Sequence, residues 1–100
     1  MRRNDVIARL KNAEPALRAS GVGALYLFGS HARDEAMPDS DVDIFVDPAS
    51  DDRFGFLDFM RAYEAIRTSV GGGVEIGYST REGLSRYIRP QVEGEAIRIF

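Results

Sequence analysis

The chain contains no cysteine, which excludes a disulfide framework and a metal site built on thiolates. It also lacks any apolar run that approaches the length of a membrane span. Its N-terminus, Met-Arg-Arg-Asn-Asp, leads into a polar helix rather than into the apolar core of a signal peptide. These absences lead us to expect a cytoplasmic protein without a membrane partner.

An excess of positive charge is missing as well. Thirteen basic and sixteen acidic residues give a net charge of −3, which argues against a general nucleic-acid coat protein, although a local basic patch is compatible with it. We expect no stable binding of nucleic acid. With 44% apolar and 29% charged residues, the composition is that of an ordinary globular protein of one domain.

Hydrophobic periodicity predicts the main helices. Apolar residues recur at helical spacing over residues 5–19, where Pro15 either kinks the helix or opens a second short one in its first turn. A second stripe predicts a helix from Phe56 to Val70 that lies on a sheet, with its aromatic residues and Met60 in the core. Thr80 can cap a last helix, from Arg81 to about Glu95, which we expect to be interrupted near Pro90.

Short apolar segments predict three strands. They are Ala24–Phe28, Asp41–Val46 and Val74–Tyr78. The segment between the first two is rich in Asp, Ser and Pro, which indicates a loop with room for one helical turn.

The second predicted strand carries two carboxylates. Asp41 and Asp43 are two residues apart, so their side chains project from one face while Val42 and Ile44 project from the other. Like charges this close raise each other's pKa and oppose folding unless a cation lies between them. A divalent metal such as magnesium is the simplest remedy. A solvated strand face would explain either acid alone, but it is a weaker explanation for the pair.

The third predicted strand adds one more acid. Val74, Ile76 and Tyr78 face one way, and Glu75 faces the other. If the second and third strands are neighbours, Glu75 can stand beside Asp43 at about 5 Å across the sheet. Three carboxylates would then converge and could hold one or two magnesium ions, with water and substrate phosphates as further ligands.

A glycine–serine pair follows the first predicted strand. Gly29 at the strand end lets a ligand approach the backbone closely. Ser30 can cap a turn that begins at His31, whose N–H groups could then receive an anion such as a triphosphate.

Three further polar residues lie near this pair. Arg33 offers its charge to a phosphate or forms a surface ion pair with Asp34 or Glu35. Ser40 offers its hydroxyl either to a phosphate or to hydrogen bonds within the loop. His31 is the only histidine, and we expect it at an exposed position, as neither a ligand nor a base.

The pattern Gly29-Ser30, ten residues, then Asp41-Val-Asp43 resembles the signature of the DNA polymerase beta-like nucleotidyltransferase superfamily. The longer string from Phe28 to Val46 is similar to that of its smallest members, the minimal nucleotidyltransferases. These are commonly the antitoxins of toxin–antitoxin pairs whose partner is a HEPN-domain ribonuclease. The resemblance extends over nearly the whole chain, which we interpret as a single minimal nucleotidyltransferase domain over residues 1–100.

The resemblance implies a fold and a set of roles. The fold is α+β, like the palm of polymerase beta, with a small mixed β-sheet of three or more strands and helices packed on one face. Gly29 and Ser30 would bind the triphosphate, and we keep Arg33 and Ser40 as additional nucleotide-binding candidates. The catalytic and metal-binding residues, which would hold two Mg²⁺ ions, are Asp41, Asp43 and Glu75.

Two positions depart from the family pattern. Asp34 stands where these proteins usually have glycine, and Glu75 stands where aspartate is more typical. The extra methylene of Glu75 shifts its carboxylate outward, which bears on its role as a ligand or as a base.

The implied reaction is transfer of a nucleoside monophosphate, AMP from ATP, to a hydroxyl, with a tyrosine of a cognate HEPN toxin as the expected acceptor. Modification would silence the toxin. The alternative is a binding module that neutralises its partner by occlusion, with feeble or no catalysis. A third possibility, transfer to a small molecule, would usually require a further helical domain.

Overall fold

The computed structural model describes residues 1–100 as five helices, four strands and one 3-10 turn. The helices are α1 (Arg3–Asn12), α2 (Glu14–Ala19), α3 (Gly29–Ala32), α4 (Phe56–Val70) and α5 (Arg89–Glu95). The strands are β1 (Val22–Phe28), β2 (Val42–Pro48), β3 (Ile76–Thr80) and β4 (Ile97–Arg98), and the 3-10 turn is Asp51–Arg53. None of the helices has the length and apolar character needed to cross a bilayer.

The four strands form one mixed sheet in the order β3-β2-β1-β4. The central strand β1 is antiparallel to both β2 and β4, whereas β2 and β3 are parallel. Parallel neighbours need a long crossover, and α4 supplies it between β2 and β3. The α+β fold and the mixed sheet predicted from the sequence are confirmed.

One face of the sheet carries the main core. Val42, Ile44 and Val46 of β2 are fully buried there, because alternate residues of a strand share a face. They belong to one apolar cluster with buried residues of α1, α2 and α4, among them Leu10 and Ile66. These three helices form the layer predicted on one face.

The opposite face carries a smaller cluster under the C-terminal segment. Phe45 of β2 is fully buried there with Leu84 and with Val92 of α5. Tyr26 stacks on Phe45 with ring centroids 4.7 Å apart, and the guanidinium of Arg81 lies 4.9 Å from each of these two rings. The helix α5 therefore covers part of the second face.

Several predicted boundaries agree with the structure and others do not. Pro15 lies in the first turn of α2, which confirms that it opens a second short helix. The helix from Phe56 to Val70 has the predicted bounds. The strand β1 begins two residues earlier than predicted, and β3 begins and ends two residues later.

The predicted last helix is only partly right. Its first half consists of turns, because Thr80 ends β3 and its hydroxyl accepts the N–H of Gly83 at 3.0 Å. That bond closes a turn instead of capping a helix. Pro90 lies in the first turn of α5 rather than interrupting a longer helix, and this is a position where proline is tolerated.

Two residues of the α4 stripe are not in the core. Phe56 and Met60 are 73% and 37% exposed, so their predicted burial was wrong. The buried line of α4 is Ala62, Ile66 and Val70. At about 100° per residue, Met60 lies about 120° around the helix axis from Ile66.

We expect Ile66→Ala to lower the free energy of unfolding by about 2–5 kcal/mol, because it leaves a cavity at a fully buried position. Leu57→Ala on the same helix is the control. Leu57 is 67% exposed, so its loss should change stability by less than about 0.5 kcal/mol. Urea unfolding of the two variants measures the difference, and equal losses would contradict the packing described.

Candidate active site

In the turn after β1, the backbone of Gly29, which carries no side chain, lies against the carboxylate of Asp43. Gly29 has φ +74°, a left-handed conformation that favours glycine. A Cβ at this position would also collide with Oδ2 of Asp43. Glycine is therefore required at residue 29 both by the backbone and by the neighbouring carboxylate.

The helical turn α3 begins at Gly29, with the extended Phe28 before it. Ser30 thus lies inside the first turn and makes no cap bond, which corrects the expectation that it caps a turn starting at His31. Its carbonyl accepts the N–H of Glu35 at 2.9 Å and closes the loop. The first N–H groups of such a turn have no partner within it.

Asp41 and Asp43 are brought together at the start of β2. Asp41 is exposed just before the strand, and Asp43 is half-buried within it. Burial raises the pKa of the Asp43 carboxyl, and the charge of Asp41 raises it further, whereas His31 and Arg33 lower it. The like-charge conflict predicted from the spacing is present, and it adds to a larger effect of desolvation.

Glu75 is placed next to Asp41 rather than Asp43. The parallel register pairs Val42 with Ile76 and Asp43 with Gly77, and the N–H of Val42 donates to the Glu75 carbonyl at 2.9 Å. The expectation that Glu75 stands beside Asp43 was therefore wrong.

The three predicted acids do not form a closed cluster. No group of three acidic, histidine or cysteine side chains in the structure is gathered closely enough to hold a metal ion. Asp41 and Asp43 form the pair, while Glu75 is an exposed side chain beyond it.

Arg33 is held by two carboxylates at the rim of the site. Its Nε donates to Glu35 at 2.7 Å, and its Nη1 donates to Glu95 of α5 at 2.8 Å. These bonds raise the pKa of the guanidinium. The ion pair with Glu35 confirms the structural alternative for Arg33, and Glu95 is a partner that the sequence did not indicate.

Ser40 belongs to the loop. Its hydroxyl accepts the N–H of Met37 at 2.8 Å, and its own N–H donates to the Met37 carbonyl at 3.0 Å. These bonds agree with the second of the two roles predicted for Ser40, hydrogen bonding within the loop.

The burial of His31 was not predicted from the sequence. The side chain is 3% exposed rather than solvent-facing, and its Nδ1 lies 3.0 Å from the Asp41 carbonyl. Because a carbonyl only accepts, Nδ1 carries the hydrogen. His31 thus ties α3 to the residue that precedes β2, and four residues of helix are too few for periodicity to reveal its burial.

A cleft of about 330 Å³ opens beside the segment that precedes Asp41. Its lining includes His31, Asp39, Ser40 and Glu75. A cleft of this size can admit a side chain or a small ligand, and the acids that line it are Asp39 and Glu75.

We expect Asp43→Asn to stabilise the metal-free protein at neutral pH. A carboxyl whose folded-state pKa is raised contributes stability below its unfolded pKa and loses it as pH rises through the folded value. The uncharged asparagine avoids that loss, so the variant should melt above the wild type at pH 7, and the gap should shrink towards about pH 4. Thermal melts in EDTA measure this, with the exposed Asp52→Asn as control. A lower melting temperature for Asp43→Asn at pH 7 would contradict the account.

Comparison with known proteins places this geometry in a family. The family model for a nucleotidyltransferase domain matches residues 10–99. A solved structure assigned as a minimal nucleotidyltransferase is 31% identical, with a TM-score of 0.79, over 97% of this chain and 95% of the other. A search of curated proteins gives no match.

Two more distant structures share the fold. A toxin–antitoxin structure with AMP-PNP is 18% identical with a TM-score of 0.64, and a mutant of the toxin–antitoxin MntA-HpeT is 16% identical with a TM-score of 0.61. Each match covers 100% of this chain and 73% of the other. The family match over most of the chain confirms the resemblance drawn from the Gly-Ser and Asp-x-Asp pattern, and the chain belongs to the nucleotidyltransferase domain family.

Proposed function

We propose that the chain transfers AMP from ATP to a hydroxyl of a cognate HEPN ribonuclease toxin, with a tyrosine as acceptor, and thereby acts as an antitoxin. In this proposal residues 1–100 act as a single domain in the cytoplasm. The observation that carries it is the pair Asp41 and Asp43, with the half-buried Asp43 carboxylate against the bare backbone of Gly29. The charged form of such a pair is disfavoured until a cation binds.

The acids fit a hard divalent cation. Magnesium is commonly bound through one or two carboxylates, with water and substrate phosphates completing its shell. Asp41 and Asp43 would hold it, and Glu75, which is not gathered with them, would act as a base instead. Bound magnesium would stabilise the charge of the attacking and leaving oxygens.

The turn at Gly29 is the proposed triphosphate site. Its missing side chain lets the Asp43 carboxylate lie directly against the backbone of the turn, and Ser30 supplies an N–H and a hydroxyl within the same turn. Arg33 offers a guanidinium, which forms bidentate bonds with phosphates and now bonds two carboxylates at the rim. Ser40 shapes the loop through its bonds to Met37.

The cleft beside Glu75 is the proposed acceptor site. The acceptor oxygen attacks the α-phosphorus of ATP, a new oxygen–phosphorus bond forms, and the bond to pyrophosphate breaks. The proton of the acceptor hydroxyl passes to the carboxylate of Glu75, which lines the cleft. His31 holds the backbone of Asp41 through its 3.0 Å bond and so fixes one wall of the same cleft.

The partner and the nucleotide rest on similarity. One structure of the same fold is that of a toxin–antitoxin with AMP-PNP, and another is that of the toxin–antitoxin MntA-HpeT. Both support a toxin as the partner, and the first supports ATP as the donor.

Intact mass spectrometry tests the reaction. The product of the neighbouring gene is incubated with this chain, with Mg²⁺ and with each nucleoside triphosphate in turn. We expect a mass gain of one or more AMP groups with ATP alone, and no gain with EDTA or with the double variant Asp41→Asn, Asp43→Asn. Absence of any gain while the two proteins form a complex would overturn the transferase proposal.

Occlusion is the second candidate, and one observation favours it. Because Glu75 is not gathered with the other two acids, the chain could bind a toxin without modifying it. Neutralisation in cells distinguishes the two functions. The double variant at Asp41 and Asp43 should lose it if transfer is required, and should retain it in full if occlusion suffices.

We expect Glu75→Gln to lower kcat by about 10²–10⁴-fold, because glutamine cannot accept the acceptor's proton. Glu75→Asp should retain most activity. Glu64→Gln, an exposed acid on α4, is the matched control and should behave like the wild type. An unchanged rate for Glu75→Gln would show that another group takes the proton.

A further inference from the structure

The carboxylate of Asp43 lies between two glycines, Gly29 directly after β1 and Gly77 inside β3. A Cβ on Gly29 would collide with Oδ2, and a Cβ on Gly77 would collide with Oδ1. Both approaches are closer than 3.0 Å, which real Cβ atoms essentially never show. Each oxygen of this acid therefore rests against backbone from which the side chain is missing.

The backbone of β3 does not require glycine at residue 77. The positive-φ glycines do not include Gly77, and glycine inside a strand weakens it because it packs nothing and loses more conformational entropy. Ile76 and Tyr78 pack against the main core, so residue 77 faces the opposite side, where Asp43 is its register partner. A glycine at residue 77 therefore destabilises the strand, and the local backbone conformation does not explain its presence.

All of the nearest contacts of a Cβ at residue 77 belong to one residue. They are Oδ1, Cγ and Cα of Asp43. We infer that Gly77 is a positioning residue for Asp43: its missing side chain lets the carboxylate lie across β3 and fixes where its two oxygens can meet a divalent cation. The inference rests on the proposed function only in taking Asp43 as a metal ligand.

The two glycines differ in what a substitution does. At Gly29 an added methyl group would collide with the Asp43 carboxylate, and the left-handed backbone there would also be strained by any side chain. A variant at Gly29 would therefore combine backbone strain with displacement of the carboxylate. At Gly77 the colliding atom is the far end of a side chain that can rotate. Gly77→Ala should therefore move the Asp43 carboxylate while the fold remains.

Manganese binding to the full chain tests this without nucleotide or toxin. Outer partners that orient metal ligands are typically worth about 10–100-fold in metal affinity, and we expect Gly77→Ala to weaken Mn²⁺ binding by about tenfold or more. Its melting temperature in EDTA should stay at or above that of the wild type. Gly72→Ala is the matched control, because a Cβ there meets nothing within 4 Å and its φ is ordinary; it should bind Mn²⁺ like the wild type.

The outcomes separate this inference from the proposed function. A wild type that binds no Mn²⁺ would overturn the metal site, and the ¹³C shift of the Asp43 carboxyl in Gly77→Ala would then still report whether the side chain has moved. Wild-type Mn²⁺ affinity or an unchanged carboxyl shift in Gly77→Ala would overturn the inference. If Gly77→Ala melts early, adding Asp43→Ala should restore its melting temperature, since the collision is removed; failure to restore it would also overturn the inference.

Discussion

The alternation of side chains along β2 determines where the candidate site can lie. Val42, Ile44 and Val46 are fully buried beneath the helical layer, so Asp43 has to project from the other face. A slip of one residue would bring a carboxylate into the core and expose three apolar side chains, which is why the register is strongly specified. The position of the acids follows from the burial of their neighbours.

Two aspartates on this second face of β2 have opposite environments. Asp47 accepts two bonds from Arg81, at 2.9 Å to Oδ1 and 2.8 Å to Oδ2. These bonds, together with one that Arg81 donates to Glu93, raise the pKa of the guanidinium. Asp43, on the same strand face, has no such bidentate partner and has a second acid next to it. The end of β2 that carries Asp47 is thus stabilised by an ion pair. The end that carries Asp43 keeps the repulsion between two carboxylates, which suits a cation-binding site.

The sequence predicted what depends on local pattern. The α4 stripe gave its bounds from Phe56 to Val70, and the two-residue spacing placed Asp41 and Asp43 on one face. It could not predict which residue of β3 lies beside Asp43, because a shift of two residues keeps the same side chains inward and moves the partner from Glu75 to Gly77. Nor could it reveal the burial of His31, which comes from a tertiary bond to the Asp41 backbone. A glycine inside a strand pattern was the one available sign of a close approach at residue 77.

The bonds of Arg33 join two distant parts of the chain. Its guanidinium connects the loop after α3 with Glu95, which lies 62 residues further along and whose side chain is only 18% exposed. The helix α5 therefore holds the Arg33 side chain in place at the rim of the site. If α5 moved away from the sheet, the guanidinium of Arg33 would lose its bond to Glu95 and its positive charge near Asp43 would no longer be paired by that acid. The electric field at the start of β2 therefore depends on whether the C-terminal segment stays docked.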